Sequence, residues 1–342
     1  MFATLAGGYP FGPLPGTSDP FAEARHRRAS GASSAAAFAE AADRYVTEVV
    51  AEQAAAGLAM VHDAWARWPD AADGGLAAAM RDGSADPAAL VAAWRWADDG
   101  IDAVVKQVLP GPWSAARALA GTDPSAAAAE EDRQIARLAA SIRALGAAGC
   151  SVVQVDEPAV ARLGPDPAAW RSVESTLGRL RDAVPAGTHL SLALPGGAPD
   201  PAGHATLAGL RFASYLVDVT AGPDAWRLID ALPAAQGVIV GAADAAKVGV
   251  DDPEMLVWAA TYAAEAAERG HIRVGIATSG SIAHLPRLAA RRKIESMGTA
   301  VRLAKMGPLS EVARALQADP ATCRIASLRR LAADRAAAAT PG

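Results

Sequence analysis

The chain has 342 residues, of which 51% are hydrophobic and 20% are charged, and its formal net charge is -5. This length is compatible with one α/β barrel, a fold that commonly needs roughly 250 residues or more. Charges of both signs are spread along the chain with no basic face, which argues against nucleic acid or an anionic membrane as a partner.

The first predicted elements are a strand, a long loop and a helix. Residues 4–9 form an apolar strand, and residues 11–34, rich in Gly, Pro, Ser and charge, are predicted to be a loop. An apolar stripe at helical spacing predicts a helix over residues 35–56, which Gly57 ends.

Beyond this helix, strand-like and helix-like segments alternate. The further predicted strands are residues 58–62, 103–109, 151–155, 189–194, 215–219, 238–241 and 273–277. The further predicted helices are residues 88–97, 126–145, 167–184, 202–210, 225–232, 253–269 and 285–306. Eight strands, each followed by a helix or a connecting segment, predict a parallel sheet closed into a single (β/α)8 TIM barrel over residues 1–306. Residues 307–342 are predicted to be a helical C-terminal tail.

An open, doubly wound sheet is the alternative to the barrel. The chain has no Gly-x-Gly-x-x-Gly after a strand and no Gly-x-x-x-x-Gly-Lys loop, so a nucleotide cofactor is not expected. Two cysteines, Cys150 and Cys323, without a Cys-x-x-Cys pair argue against a disulfide framework and a cysteine-rich zinc site. No apolar run approaches the roughly 20 residues of a membrane span, and residues 1–10 lack the features of a secretory signal, so a cytoplasmic protein is expected.

Polar side chains recur along the predicted strands and at their ends, and barrel enzymes collect their catalytic groups at the carboxyl ends of the strands. They are Tyr9, His62, Asp63, Gln107, Asp156, Glu157, His189, Ser191, Asp218, Asp244, Thr278 and Ser279. For any single position, contact of a strand end with water explains the polarity. The set as a whole favours a polar pocket.

The Asp156-Glu157-Pro158 turn is the strongest candidate in this set. It follows an apolar strand, and two adjacent carboxylates at a strand end point in different directions. One can therefore hold a substrate ammonium while the other takes hydrogen bonds at the rim. The alternative is an acidic residue that stabilises the amino end of the next helix.

Several segments resemble the cobalamin-independent methionine synthases. Three are continuous segments: Val-Val-Lys-Gln-Val-Leu-Pro-Gly-Pro-Trp at residues 104–113, Gln-Val-Asp-Glu-Pro-Ala at 154–159 and Gly-Gly-Tyr-Pro at 7–10. Two are sets of spaced residues: Asp63, Arg67 and Asp70 near the second predicted strand, and Gly241, Asp244, Pro253 and Glu254 near the seventh. The resemblance spans about residues 4–305 and matches the short form that has the catalytic barrel alone. It implies methyl transfer from a methylated folate to homocysteine or a related thiol, without cobalamin.

The resemblance also implies a zinc ion that lowers the pKa of the acceptor thiol. The His-x-Cys pair of the family corresponds to His189 and Ser191, its glutamate to Asp218, and its last cysteine to Ser279. Because serine hydroxyls are poor zinc ligands, the zinc site is predicted to be degraded, with His189 and Asp218 as the remaining metal ligands. Two further departures are Trp65, in place of a substrate-contacting glutamate, and Ala246, in place of a histidine.

Three hypotheses follow for function. The first is a methyltransferase that binds its substrates through Tyr9, Asp63, Lys106, Asp156 and Glu157, with His189 and Asp244 as catalytic groups; Lys106 has a salt bridge as its alternative role. The second is a metal-free barrel enzyme in which His189 and the carboxylates act as acid and base. The third is a non-catalytic relative that binds a ligand or a partner protein. The fold alone does not choose between them.

Overall fold

Strands and helices alternate along the chain, as the hydrophobic pattern predicts. The computed structural model describes residues 1–14, 16, 18–68, 75–121 and 123–305. The strands are β1 (Phe2–Thr4), β2 (Met60–Val61), β3 (Val104–Val105), β4 (Gln107–Pro110), β5 (Val152–Asp156), β6 (His189–Leu194), β7 (Ser214–Asp218), β8 (Gly237–Ala243) and β9 (Val274–Thr278). The helices are α1 (Pro20–Ala29), α2 (Ala35–Ala55), α3 (Gly75–Asp82), α4 (Pro87–Asp98), α5 (Pro112–Ala120), α6 (Pro124–Ala148), α7 (Pro167–Ala183), α8 (His204–Gly209), α9 (Pro223–Ala231), α10 (Pro253–Glu265) and α11 (Arg287–Ala304).

All paired strands run parallel and form a curled half-barrel. Seven of them form one sheet in the order β1-β9-β8-β7-β6-β5-β4, and β2 pairs with β3. Only Lys106 separates β3 from β4, and its backbone N–H donates to the carbonyl of Val61 at 2.9 Å. The carboxyl ends of all these strands therefore open on one side of the sheet.

The closed barrel predicted from sequence is confirmed only in part. Among the described residues, no strand ladder joins β1 to β2. Strand β1 ends at Thr4, whereas the sequence predicted a strand up to residue 9. The strand ends early because the next backbone bond goes to a side chain: the N–H of Ala6 donates to the hydroxyl of Thr278 at 3.0 Å. The ring of His62, just after β2, bonds the carbonyl of Gly7 at 2.7 Å, so side chains bridge this gap.

The region predicted as a long loop at residues 11–34 contains helix α1, so that prediction is wrong over Pro20–Ala29. The side chain of Asp19 accepts a hydrogen bond from the N–H of Ala22, and Pro20 stands at the first helical position, which together favour a helix start. The aromatic rings of Phe21 and Tyr45 stack at 4.6 Å and attach α1 to α2.

The helices cover the outer surface of the sheet, and a small apolar cluster fills its concave side. That cluster consists of Ala6, Ala193, Leu216, Ile239 and Ala277. Within the described part of the chain, no helix is both long and apolar enough to span a bilayer. The predicted tail over 307–342 and the motif residue Asp70 lie outside the described residues.

Candidate active site

A cavity of about 690 Å³ lies at the carboxyl ends of the strands, and we call it the carboxyl-end cavity. The carboxylates of Asp156, Asp218 and Asp244 line it, from the ends of β5, β7 and β8. Much of the remaining wall is small or apolar: Ala6, Gly7, Trp65, Leu76, Ala77, Pro110, Ala115, Ala118, Pro158, Pro195, Gly196, Ala221, Ala245, Ala246 and Gly280. The sequence predicted these three carboxylates for a shared pocket, and the structure brings them together.

Asp156 is the last residue of β5 and is held by a buried glutamine. The amide Nε2 of Gln154 donates to Asp156 Oδ1 and to the carbonyl of Ala6, both at 2.6 Å. Burial raises the pKa of Asp156, while the hydrogen bond from Gln154 and the charge of Lys106 act in the opposite direction. The carboxylate is thus fixed on the cavity wall in a position to meet a cation.

Lys106 lies inside the curled sheet and does not line the carboxyl-end cavity, contrary to its predicted role as a substrate contact. Its ammonium donates to the carbonyl of Leu5 and, at 2.6 Å, to Gln154 Oε1. Burial lowers its pKa and the charge of Asp156 raises it. Gln154 therefore lies between a buried cation and the carboxylate of Asp156.

Asp218 ends β7 and forms a compact turn at the cavity wall. Its Oδ1 accepts hydrogen bonds from the N–H of Thr220 at 2.9 Å and from the hydroxyl of Thr220 at 2.7 Å. Burial is the largest influence and raises the pKa of Asp218 to about 6. A carboxylate with a pKa near that value can take or give a proton close to neutral pH.

Asp244 follows β8 and is positioned through its backbone. Its N–H donates to Asp251 Oδ1 at 2.9 Å, and Asp251 Oδ2 accepts from the buried ammonium of Lys293 at 2.8 Å. The carboxylate of Asp244 pairs with Lys247 at 2.5 Å, but the Lys247 side chain is 76% exposed. That ion pair contributes little to stability because water screens the interaction between the two charges.

Glu157 does not line the cavity, so its predicted role as a substrate contact is not supported by its position. Its side chain is fully buried and accepts from the N–H groups of Trp113 and Ser114 at 3.0 and 2.8 Å. These amides belong to the first turn of α5, where backbone N–H groups lack helical partners. The second carboxylate of the turn therefore caps a helix, although of α5 and not of the segment that follows it.

Tyr9 and Asp63 are also buried away from the cavity wall, contrary to their predicted substrate contacts. The hydroxyl of Tyr9 donates to Glu52 Oε1 at 2.9 Å. Asp63 Oδ1 accepts from the N–H of Trp65 at 3.0 Å, and burial raises the pKa of Asp63. Asp63 thus holds the backbone of Trp65, which has a positive φ of 57°. The side chain of Trp65 lines the cavity.

His189 lies at the wrong end of the sheet for the role predicted from the family motif. It is the first residue of β6, so it stands at the amino end of that strand. Ser191 pairs with Ser214 in the β6–β7 ladder. At about 3.3 Å per residue, this register places His189 about 20 Å along the strand axis from Asp218. His189 and Asp218 therefore cannot ligate one metal ion.

The donor atoms near the carboxyl-end cavity do not fit the zinc site of the family. Ser279 lines the cavity and accepts from the N–H of Ala245 at 3.0 Å, whereas Ser191 lies inside the sheet and bonds Ser214. Among the described residues, no group of three or more His, Cys, Asp or Glu side chains is arranged to hold a metal ion. Zinc sites require such a set of donors.

Sequence reasoning did not single out several residues that line the cavity. They are Thr220, Ser281 and His284. Ser281 and His284 follow the Thr-Ser-Gly segment after β9, so their proximity to a strand end was the available signal.

The chain is similar in fold to solved structures, whereas comparisons of its sequence find no match. No protein-family model and no curated protein sequence matches it. A cobalamin-independent methionine synthase from a Shewanella species, solved with selenomethionine, superposes with a TM-score of 0.65 at 14% identity, over 89% of this chain and 97% of that one. A candidate vitamin-B12-independent methionine synthase from Listeria monocytogenes gives 0.63 at 16% identity, with the same coverage. The chain shares their fold.

Proposed function

We propose that the chain is a methyltransferase of the cobalamin-independent methionine synthase type that acts on an amino-acid thiol. The observation that carries the proposal is the convergence of Asp156, Asp218 and Asp244 on one cavity at the carboxyl ends of the strands. Essentially all characterised TIM-barrel enzymes place their chemistry at this end. The fold shared with the two methionine synthase structures supports the choice of reaction.

In this proposal, Asp156 binds the ammonium group of homocysteine or a related thiol amino acid. The carboxylate is anchored by Gln154, so binding requires little reorganisation. The methylated folate lies along the apolar wall that includes Trp65, Leu76 and Ala115. Trp65 gives a flat surface on which an aromatic ring system can stack.

Asp218 is the proposed proton acceptor. The thiol sulfur attacks the methyl carbon, the S–C bond forms, and the C–N bond of the donor breaks with its electron pair left on nitrogen, which takes up a proton. The thiol proton passes to Asp218, which returns to the carboxylate by releasing a proton to solvent, and solvent supplies the proton that the nitrogen takes up. An ordinary aspartate lies about 4.6 pKa units below a thiol, whereas the pKa of about 6 of Asp218 reduces that gap to about 2.5 units. The mechanism contains no metal step because the donor set does not fit zinc.

A matched ligand pair tests the substrate assignment. Homocysteine and 4-sulfanylbutanoate differ only in the ammonium group, so we expect homocysteine alone to raise the melting temperature. Asp156→Asn should weaken homocysteine binding about tenfold or more, in line with a charge-assisted hydrogen bond of about 1.5–3 kcal/mol. Equal binding of the two ligands by the unsubstituted protein would contradict the role of Asp156.

A direct assay tests the reaction itself. With a methylated folate and homocysteine, methionine should form at a rate that falls at least about a hundredfold in Asp218→Asn, the lower range for loss of a general base. The second candidate function is a non-catalytic ligand-binding relative, which the missing zinc donors favour. Ligand binding without methionine formation under any metal condition would support this candidate over the methyltransferase.

A further inference from the structure

A second cavity, of about 420 Å³, lies at the opposite end of the curled sheet, and we call it the amino-end cavity. It is lined by Phe2, Met60, Lys106, Val152, Gln154, His189, Ser191, Ser214, Ile239 and Ile272, among others. Most of these residues stand at or before the first residues of their strands. The small apolar cluster inside the sheet separates it from the carboxyl-end cavity.

A chain of hydrogen bonds enters this cavity from His189. Nε2 of His189 bonds Ser214 Oγ at 2.9 Å, and Ser214 Oγ donates to Ser191 Oγ at 2.9 Å. Ser191 is 1% exposed, and with Nε2 of His189 protonated and Ser214 as the donor, its own hydroxyl hydrogen has no acceptor among the residues that the structure describes. In this arrangement of hydrogen bonds, the buried hydroxyl of Ser191 is available to donate to a ligand.

Lys106 provides a second donor beside Ser191. Ser191 pairs with Gln154 in the β5–β6 ladder, and Gln154 Oε1 accepts from Lys106. Both side-chain atoms of Gln154 are engaged, because Nε2 donates to Ala6 and Asp156. Two of the three ammonium hydrogens of Lys106 have acceptors in the described structure, and Asp156 bonds Gln154 without forming a direct ion pair with Lys106. The third hydrogen remains for a ligand.

The charge of this cavity is opposite to that of the carboxyl-end cavity. Its lining includes Lys106, His189 and Arg273, and no carboxylate of the described residues lines it. The guanidinium of Arg273 already donates to the carbonyl of Ala234, so Lys106 is the cation at the inner end. Phe2, Met60 and Ile272 add apolar wall to this cavity beside its polar and cationic residues.

We propose that the amino-end cavity binds a short-chain monocarboxylate, with its carboxylate at Lys106 and Ser191 and its alkyl chain along Phe2 and Met60. The two donors match the two oxygens of a carboxylate, and an ionised ligand buried there requires the cation that Lys106 supplies. The apolar walls favour an alkyl carboxylate over an inorganic anion. The proposal does not rest on the proposed methyltransferase function, because the two cavities have different lining residues, although Gln154 connects Lys106 to Asp156.

Calorimetric titration with a ligand series tests the proposal on the unsubstituted protein. We expect butanoate to bind, and butylammonium, butanamide and chloride to bind at least about tenfold more weakly, equivalent to about 1.4 kcal/mol. Butylammonium or chloride bound as tightly as butanoate would overturn the assignment, as would no detectable butanoate binding.

Two conservative variants locate the site. Ser191→Ala removes the donor and should weaken butanoate binding about tenfold. Ser281→Ala removes a serine from the other cavity and should leave butanoate binding unchanged. Urea denaturation of both variants checks that they fold. Equal effects of the two substitutions, or no effect of Ser191→Ala in a folded protein, would place butanoate elsewhere and overturn the proposal.

Discussion

Glu157 accepts hydrogen bonds from both the N–H and the hydroxyl of Ser114, at 2.8 and 2.5 Å. This contact assigns separate tasks to the two carboxylates of the Asp156–Glu157 turn. Asp156 lines the cavity, and Glu157 satisfies the first turn of α5. Stability and ligand binding should therefore respond differently to substitution of these two neighbours.

We expect Glu157→Gln to lower the free energy of unfolding by about 2–4 kcal/mol, because an amide cannot accept all the hydrogen bonds that the carboxylate accepts. Ser114→Ala is the comparison variant and should cost about 2 kcal/mol, since it removes the bonds that the hydroxyl makes to Glu157 and to the N–H of Ala159 and keeps the backbone bonds to Glu157. Urea denaturation measures both. A change in the discrimination between homocysteine and 4-sulfanylbutanoate in Glu157→Gln would contradict a purely structural role.

Lys106 and Asp156 should behave as an energetically coupled pair through Gln154. Lys106→Met alone is expected to cost about 3–5 kcal/mol, because it leaves a partly buried carboxylate without its cation. The double substitution with Asp156→Asn should cost less than the sum of the single ones, by more than about 1 kcal/mol. Urea denaturation of all four proteins completes the cycle. Additive costs within about 0.5 kcal/mol would show that the two charges are independent.

Asp218 should make both activity and stability depend on pH. Its pKa of about 6 means that the base form, and with it methyl transfer, increases as pH rises through about 6. Between the unfolded pKa of about 3.9 and the folded value, the folded protein binds more protons, so stability falls as pH rises through this range. Asp218→Asn does not titrate, so its stability relative to the unsubstituted protein should rise by up to about 3 kcal/mol between about pH 4 and pH 7.

Thr220→Val is a second test of the assignment of this pH dependence to Asp218. It removes the hydroxyl that stabilises the charged form of Asp218, so the midpoint of the activity profile should move to higher pH. A midpoint that stays the same in Thr220→Val, or a profile that persists in the residual activity of Asp218→Asn, would assign the titration to another group.

Metal content should be low. Protein purified without chelators is expected to hold less than about a tenth of an equivalent of zinc, because structural and catalytic sites need three or more protein donors. Removal of metal with a chelator should leave the melting temperature unchanged. One equivalent of tightly held zinc, measured by elemental analysis, would contradict the interpretation of Ser191 and Ser279 as lost ligands.

The order of strands and helices could be predicted because burial imposes a period on the sequence. The predicted bounds of β6 agree with the structure at both ends. The direction of that strand nevertheless places His189 at its amino end, so the family motif was aligned to the wrong end of the strand. A motif match fixes residue types, whereas strand direction fixes which end of the sheet they occupy.

The sequence predicted different roles for the two carboxylates of the turn but not which of them faces the cavity, because the alternation of side chains along β5 ends at Asp156. The segment Leu-Pro-Gly-Pro-Trp at residues 109–113 did contain one indication that Glu157 is the buried carboxylate. A Cβ atom at Gly111 would lie 2.3 Å from the carboxyl carbon of Glu157, so a glycine is needed there to admit the buried carboxylate. The Gly-Pro turn and the Asp-Glu-Pro turn, distant in sequence, thus pack against each other through Gly111 and Glu157.

The missing ladder between β1 and β2 has a mechanical consequence. Gly7 follows β1 and Trp65 follows β2, and both line the carboxyl-end cavity. In the described chain the connection between them depends on side chains, including the bond from His62 to Gly7. Separation of the two strands at this seam would therefore break the bond from His62 to Gly7 but no ladder hydrogen bond, whereas separation of any two neighbours within the seven-stranded sheet would break a ladder.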